Sequence, residues 1–280
     1  MRRWAVILNC VTPGFVNCLS VLNPGTTVEG YTIWQFQTEF ARLSTELKNF
    51  DCIFLYDDIL ALNLIDFSQF DNVVQVPLIT FSGYHPDHCF VSSEAALLNS
   101  PIGVGNSMIA FAAFKKSLSV ADTLALYNRR TFEAGAFFDL WQQDKLRLFQ
   151  RFVKDGYDLA GKFRRWSMRD SFMYTIHHPK IDCIYDIAVI ASERAGARPV
   201  TTSLRPHDNL SSGPIFAIYD EIAEALGIER SSFFSPGQYK MIGLEQFILA
   251  SFEIYRAQKP ESLVIHPIYE RRYSAIYDFI

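Results

Sequence analysis

Cysteine is scarce and scattered in this chain. The five residues (Cys10, Cys18, Cys52, Cys89, Cys183) are far apart, and no Cys-x-x-Cys pair occurs. An odd, dispersed set argues against a disulfide framework and fits reduced thiols in the cytosol. Long apolar runs are missing as well: none reaches the roughly 20 residues that span a bilayer. The run after Arg2-Arg3 lasts only from Trp4 to Leu8, too short for the core of a signal peptide. There is no block of like charge. With a net charge of −4, nucleic acid finds no electrostatic footprint. A glycine-rich phosphate loop is also absent, since Gly14 stands alone after Pro13. No internal repeat or low-complexity tract is found. These absences leave a soluble cytoplasmic chain with no membrane span and small-molecule partners; self-association is left open.

What is present is a large core. Apolar residues make up 49% and charged residues 20% of the 280, enough for one sizeable domain and too apolar for disorder. Aromatics reach 15%, with 24 Phe and 13 Tyr. Most are expected in the core, and some of them around a pocket.

Short apolar runs alternate with helical patterns over the first 80 residues. Trp4–Asn9 reads as a buried strand, then a turn at Thr12-Pro13-Gly14 and a short helix through Cys18 and Leu22. Tyr31–Phe36 reads as a second strand. Phe36, Phe40, Leu43 and Leu47 recur at helical spacing, Cys52–Tyr56 reads as a third strand, and Val73–Thr80 as a fourth. This alternation predicts an α/β fold, a flavodoxin-like parallel sheet flanked by helices. The second half is mainly helical: Ile102–Leu118, a helix capped by Ser119, Phe132–Phe152, a face of Ile184, Ile187, Ala188 and Ala191, a helix from Pro214 to Leu226, and Leu244–Tyr255. One domain over residues 1–280 is expected, with a sheet core in 1–100, a helical insertion or lobe in 101–170, and C-terminal helices in 171–280.

Ligands of such sheets bind outside the carboxyl ends of the strands. Cys10, Asp57, Asp58 and the stretch from Ser82 to His88 are placed there. Cys10, just before a turn and helix, is a candidate nucleophile; thiolate is favoured near a helix N-terminus, and Asn9 with nearby N–H groups suits an oxyanion. A cysteine that merely fills the core competes with this reading. His85 and His88, with Asp87 between them, lack further ligands at metal spacing, so no metal is expected. His177 and His178, ahead of Pro179, are candidate general bases, and Asp170 a candidate to orient one of them.

In Asn9-Cys10, Tyr84-His85-Pro86-Asp87, Gly105-Asn106-Ser107 and Phe172 to Pro179, taken in order, the sequence resembles the WcbI-type capsule polysaccharide biosynthesis proteins over roughly residues 4 to 195. Its first motif reads Leu8-Asn9-Cys10-Val11 where that family usually has Gly-Asn-Cys-Gln. The resemblance implies an acetyltransferase with coenzyme A or acetyl-coenzyme A as donor and a sugar hydroxyl as acceptor. It implies Cys10 as nucleophile or thioester neighbour and His178 or His177 as base. Tyr84, His85, Asp87, Asn106 and Ser107 would line the substrate side. Lys116, Arg165 and Arg169 are assigned to the coenzyme phosphates on charge alone. The rival expectations are an SGNH-like esterase or deacylase with the same residues, and a non-catalytic member that binds a sugar or a partner.

Overall fold

The computed structural model describes residues 2–280. Strand β1 (Arg2–Leu8) is buried along its apolar stretch Trp4–Leu8. A strand with no exposed apolar face must be covered on both sides, as parallel sheets are. β1 pairs in parallel with β2 (Thr26–Thr32) on one side and β3 (Cys52–Leu55) on the other. β3 pairs with β4 (Val73–Gln75), also in parallel, giving the order β2-β1-β3-β4. The α/β expectation, a parallel sheet with flanking helices, holds.

Between β1 and β2 runs α1 (Thr12–Leu22), with Pro13 in its first turn, where a missing N–H costs nothing. It approaches β2 closely at Gly30: a Cβ there would collide with Val16 and Thr12. Helix α2 (Ile33–Glu46) opens with a capping box: the Thr32 hydroxyl accepts from the Gln35 N–H at 3.3 Å, and the Gln35 side chain accepts from the Thr32 N–H at 2.8 Å. The second strand is therefore Thr26–Thr32, not Tyr31–Phe36, because the cap at Thr32 hands the following aromatic stretch to the helix. α3 (Asp57–Ala61) follows β3, with both aspartates in its first turn.

The chain divides into two compact units. The first holds the residues up to Thr80, Arg147–Met168 and His178–Leu210; the second holds Phe81–Leu146, Arg169–His177 and Ser211–Ile280. In the first, helix Ile181–Arg194 packs on α1 and buries Ile184, Ile187, Ala188 and Ala191, the face expected from the sequence. The Asp186 carboxylate on that helix accepts from the Trp166 indole N–H at 2.7 Å and pairs with Arg165.

The second unit is built from short pieces. Helix Met108–Lys115 is shorter than the expected Ile102–Leu118, because Asn106 and Ser107 pair as a strand with His88 and Cys89. The expected helix Phe132–Phe152 is interrupted: Arg129–Ala134 ends, Ala136 turns left-handed with φ 53°, and a new helix starts at Leu140. The helix expected from Pro214 begins only at Asp220, since Ile215 and Ile218 bridge to Ser235 and Ser231. Its end at Gly227, left-handed with φ 66°, is as expected. Helix Leu244–Arg256 is also found where expected, while the pair Phe234–Gly237 and Lys240–Ile242 and the last helix Glu270–Phe279 were not foreseen. Among the described residues no helix is long and apolar enough to cross a membrane.

Candidate functional site

β1 sits between β2 and β3, so the chain leaves it toward one neighbour and later returns to the other. The carboxyl ends of β1 and β3 thus flank the point where strand order reverses, the usual ligand position in such sheets. Cys10 lies just past the end of β1, and Tyr56 just past the end of β3. All five cysteines are free; four are buried, and Cys10 alone is partly exposed.

The Asn9 side chain folds over the turn. Its Oδ1 accepts the Val11 N–H at 3.1 Å, and its main-chain oxygen accepts the Thr12 N–H at 3.1 Å and hydroxyl at 2.8 Å. With Oδ1 so held, Nδ2 is the end of the amide available as a donor. The Cys10 thiol is pushed up to about 11, first by burial; the N–H groups of Cys10 and Val11 act in the opposite sense. The expected thiolate character at a helix N-terminus is thus outweighed by desolvation: near neutral pH the sulfur carries its proton. Tyr56, buried, is raised well above its usual range by burial and next by Cys10. Tyr56 escaped the sequence reading; the switch-point rule, applied to the end of the third strand, would have found it.

His178 belongs to the same unit as Cys10 and is half-buried; His177, one position earlier, belongs to the other unit. The His177 ring lies parallel to Phe90, with centroids 6.0 Å apart. Asp170 is exposed, and its Oδ1 accepts the adjacent Ser171 N–H at 2.6 Å.

The remaining candidates fall into a buried polar system in the second unit. Asp87, wholly enclosed, accepts the Ile109 N–H at 2.9 Å and the Tyr219 hydroxyl at 2.7 Å. Ser107 caps the helix at Ala110 N and shares a 2.6 Å hydrogen bond with Tyr127. Asn106 Nδ2 donates to the carbonyls of Leu98 and Val104, and its Oδ1 accepts from Tyr255 at 2.9 Å. Tyr84 is enclosed by Phe81 and Phe172, and His85 Nδ1 lies 3.2 Å from the Ala217 carbonyl. Tyr127, Tyr219 and Tyr255 lie 20 or more positions from the groups they bond, and no spacing announces them.

His88 is buried against Phe90 and Phe216, with its Nε2 so near Gly105 that a side chain there would collide with it. Its Nδ1 has no hydrogen-bond partner among the described residues. Burial, then His177 and His85, hold its pKa well below 6.5. The unfolded chain therefore takes up a proton near 6.5 that the folded chain refuses, so stability falls as pH drops below that value. We expect a loss of up to about 1.4 kcal/mol per pH unit from this group, and a shallower slope in His88→Leu, read by urea unfolding between pH 7 and 5.

Of the cations assigned to coenzyme phosphates, Lys116 donates to the Ile280 carbonyl at 2.6 Å and lies over Tyr277, while Arg165 pairs with Asp186. Arg169 is exposed. Among the described residues no group of three or more His, Cys, Asp or Glu is placed to hold a metal ion.

Fold and site together define an α/β protein with a parallel four-stranded sheet and a cysteine at its switch point. Residues 65–200 match the family model described as polysaccharide biosynthesis enzyme WcbI, bearing out the resemblance over that stretch. The match includes Tyr84, His85, Asp87, Asn106, Ser107, His177 and His178, and begins beyond Cys10. The solved structure of WcbI, described as a novel polysaccharide biosynthesis enzyme and as the native protein without a disulfide bond between coenzyme A and a cysteine, is similar in fold. The likeness covers 99% of this chain and 94% of that one, with a TM-score of 0.66 at 16% identity. Comparison with curated proteins gives no match.

Proposed function

We propose that this chain is a coenzyme A-dependent acyltransferase that moves an acyl group, in the first instance acetyl, onto a sugar hydroxyl during polysaccharide synthesis in the cytoplasm. The observation that carries this reading is Cys10: the one partly exposed thiol, at the switch point of the sheet, in the turn that leads into α1. The mention of coenzyme A and a cysteine in the description of the similar solved structure supports it.

His178 takes the Cys10 proton as the sulfur attacks the thioester carbonyl; the carbon–sulfur bond to the coenzyme breaks, and the proton passes to the departing thiolate. The Cys10 N–H and Asn9 Nδ2 hold the oxyanion. The sugar hydroxyl then attacks the acyl-cysteine, giving its proton to His178 and returning the sulfur to the thiol.

Incubation of the full chain with acetyl-coenzyme A, with and without a panel of sugar acceptors, tests the reading. Acetyl ester formed on a sugar is the expected result. Free thiol released equally without any acceptor means that water is the acceptor and the chain is a hydrolase. Ligand binding without turnover leaves the non-catalytic reading.

A further inference from the structure

We infer that an open cleft at the carboxyl ends of β3 and β4 binds a sugar ring carrying a phosphate, and so supplies the acceptor side of the transfer reading on which it rests. The cleft has a volume of about 580 Å³ and lies wholly within the first unit. Its walls carry Asp57, Asp155 and Gln75 together with Lys154 and Arg194. That is room for one small ligand, of the size such clefts usually take.

Two acids and two bases line this one space, yet none of the four is engaged in an ion pair among the described residues. Surface charges of opposite sign that share a concavity without closing on each other leave donors and acceptors free for a third body. Arg194 is held in place by stacking: its guanidinium lies 5.2 Å from the centre of the Tyr157 ring, whose hydroxyl donates to the Gln75 carbonyl at 2.9 Å. The Asp155 carboxyl is raised first by burial and next by the charge of Asp57, which fits two carboxylates facing the same space.

The charge pattern selects the ligand. Carboxylates and an amide accept hydrogen bonds from ring hydroxyls, while Arg and Lys take a phosphate. A polyanion without hydroxyls is repelled by Asp57 and Asp155, and a neutral sugar leaves both cations unused. The position suits an acceptor. Asp57 directly follows Tyr56 past the end of β3, Cys10 lies just past the end of the neighbouring β1, and adjacent strands are only about 4.8 Å apart.

Calorimetric titration of the full chain with a panel of hexose 1- and 6-phosphates, with methyl glucoside, and with adenosine 3′,5′-bisphosphate is the test. At least one hexose phosphate is expected to bind, with methyl glucoside about tenfold weaker or more. The double variant Arg194→Gln, Lys154→Gln should lose about tenfold on the phosphate, and Asp57→Asn should weaken phosphorylated and neutral sugar alike. All three substituted side chains are exposed, so folding is at little risk, and circular dichroism checks it. Failure of the whole hexose phosphate panel, binding unaltered by the variants, or binding of the nucleotide alone overturns the inference. The titration does not depend on turnover. A chain that binds hexose phosphate here but never transfers an acetyl group sinks only the transfer reading; a chain that transfers without binding sinks only the cleft.

Discussion

Replacing Cys10 by alanine is expected to lower acyl transfer by at least about a hundredfold, with little change in the affinity for coenzyme A. The wild type should also gain the mass of one acetyl group on incubation with acetyl-coenzyme A, and the variant should not. His178→Ala should slow the same step. The burial of the thiol adds a pH signature. With its pKa pushed up to about 11, Cys10 is mostly protonated near neutrality and its reactive fraction grows roughly tenfold per pH unit. Alkylation of the free protein by iodoacetamide should therefore climb from pH 7 to 10 without levelling. A plateau below pH 8 would show that a neighbouring base ionises the thiol before any ligand arrives, and burial would not be the controlling effect. Unaltered turnover in Cys10→Ala removes the acyl-cysteine route altogether.

The parts of this fold that could be read in advance are those whose signal is local. β1 declares itself because an unbroken apolar run can only be a doubly covered strand, and the end of that run places Cys10. β2 does not: Thr26–Thr32 carries few apolar residues and is half-exposed at the edge of the sheet, so its composition looks like a loop. The aromatic stretch after it mimics a strand, until the Thr32–Gln35 capping box is recognised. The helix expected from Pro214 was overextended because what holds Ile215 and Ile218 extended is Ser235 and Ser231, which nothing local announces. The same limit governs the site. Lys116 and Arg165 looked like free cations in sequence, yet the groups that engage them, Ile280 and Asp186, lie 164 and 21 positions away. Charge alone says nothing about which cations a fold has already used. Arg194 and Lys154, without an ion-pair partner among the described residues, carry no mark in the sequence.

Asp87 illustrates how much stability one such non-local set can hold, and Asp87→Ala is expected to cost about 2–6 kcal/mol of unfolding free energy, about 1–3 for each stranded donor. The carboxylate is wholly enclosed, and its removal strands two buried donors, the Ile109 N–H and the Tyr219 hydroxyl. Asp87→Asn should cost less. Its oxygen can keep the Ile109 N–H while its amide nitrogen donates to Tyr219, whose hydroxyl hydrogen must then turn elsewhere. Tyr219→Phe, which strands one carboxylate oxygen, should fall between no effect and the loss in Asp87→Ala. The pH dependence has a definite sign. Burial, the largest influence, raises the Asp87 pKa, and hydrogen bonds from Ser107, Ile109 and Tyr219 oppose it. As pH rises above about 4, the unfolded carboxyl ionises before the folded one, so the wild type loses stability until the folded group ionises too. Asp87→Asn has no such group, and the stability gap between the two should narrow from pH 4 upward. Urea unfolding of both proteins across that range measures it. A constant gap would mean that the hydrogen bonds, not burial, govern this carboxyl, and that Asp87 is already ionised where the second unit encloses it.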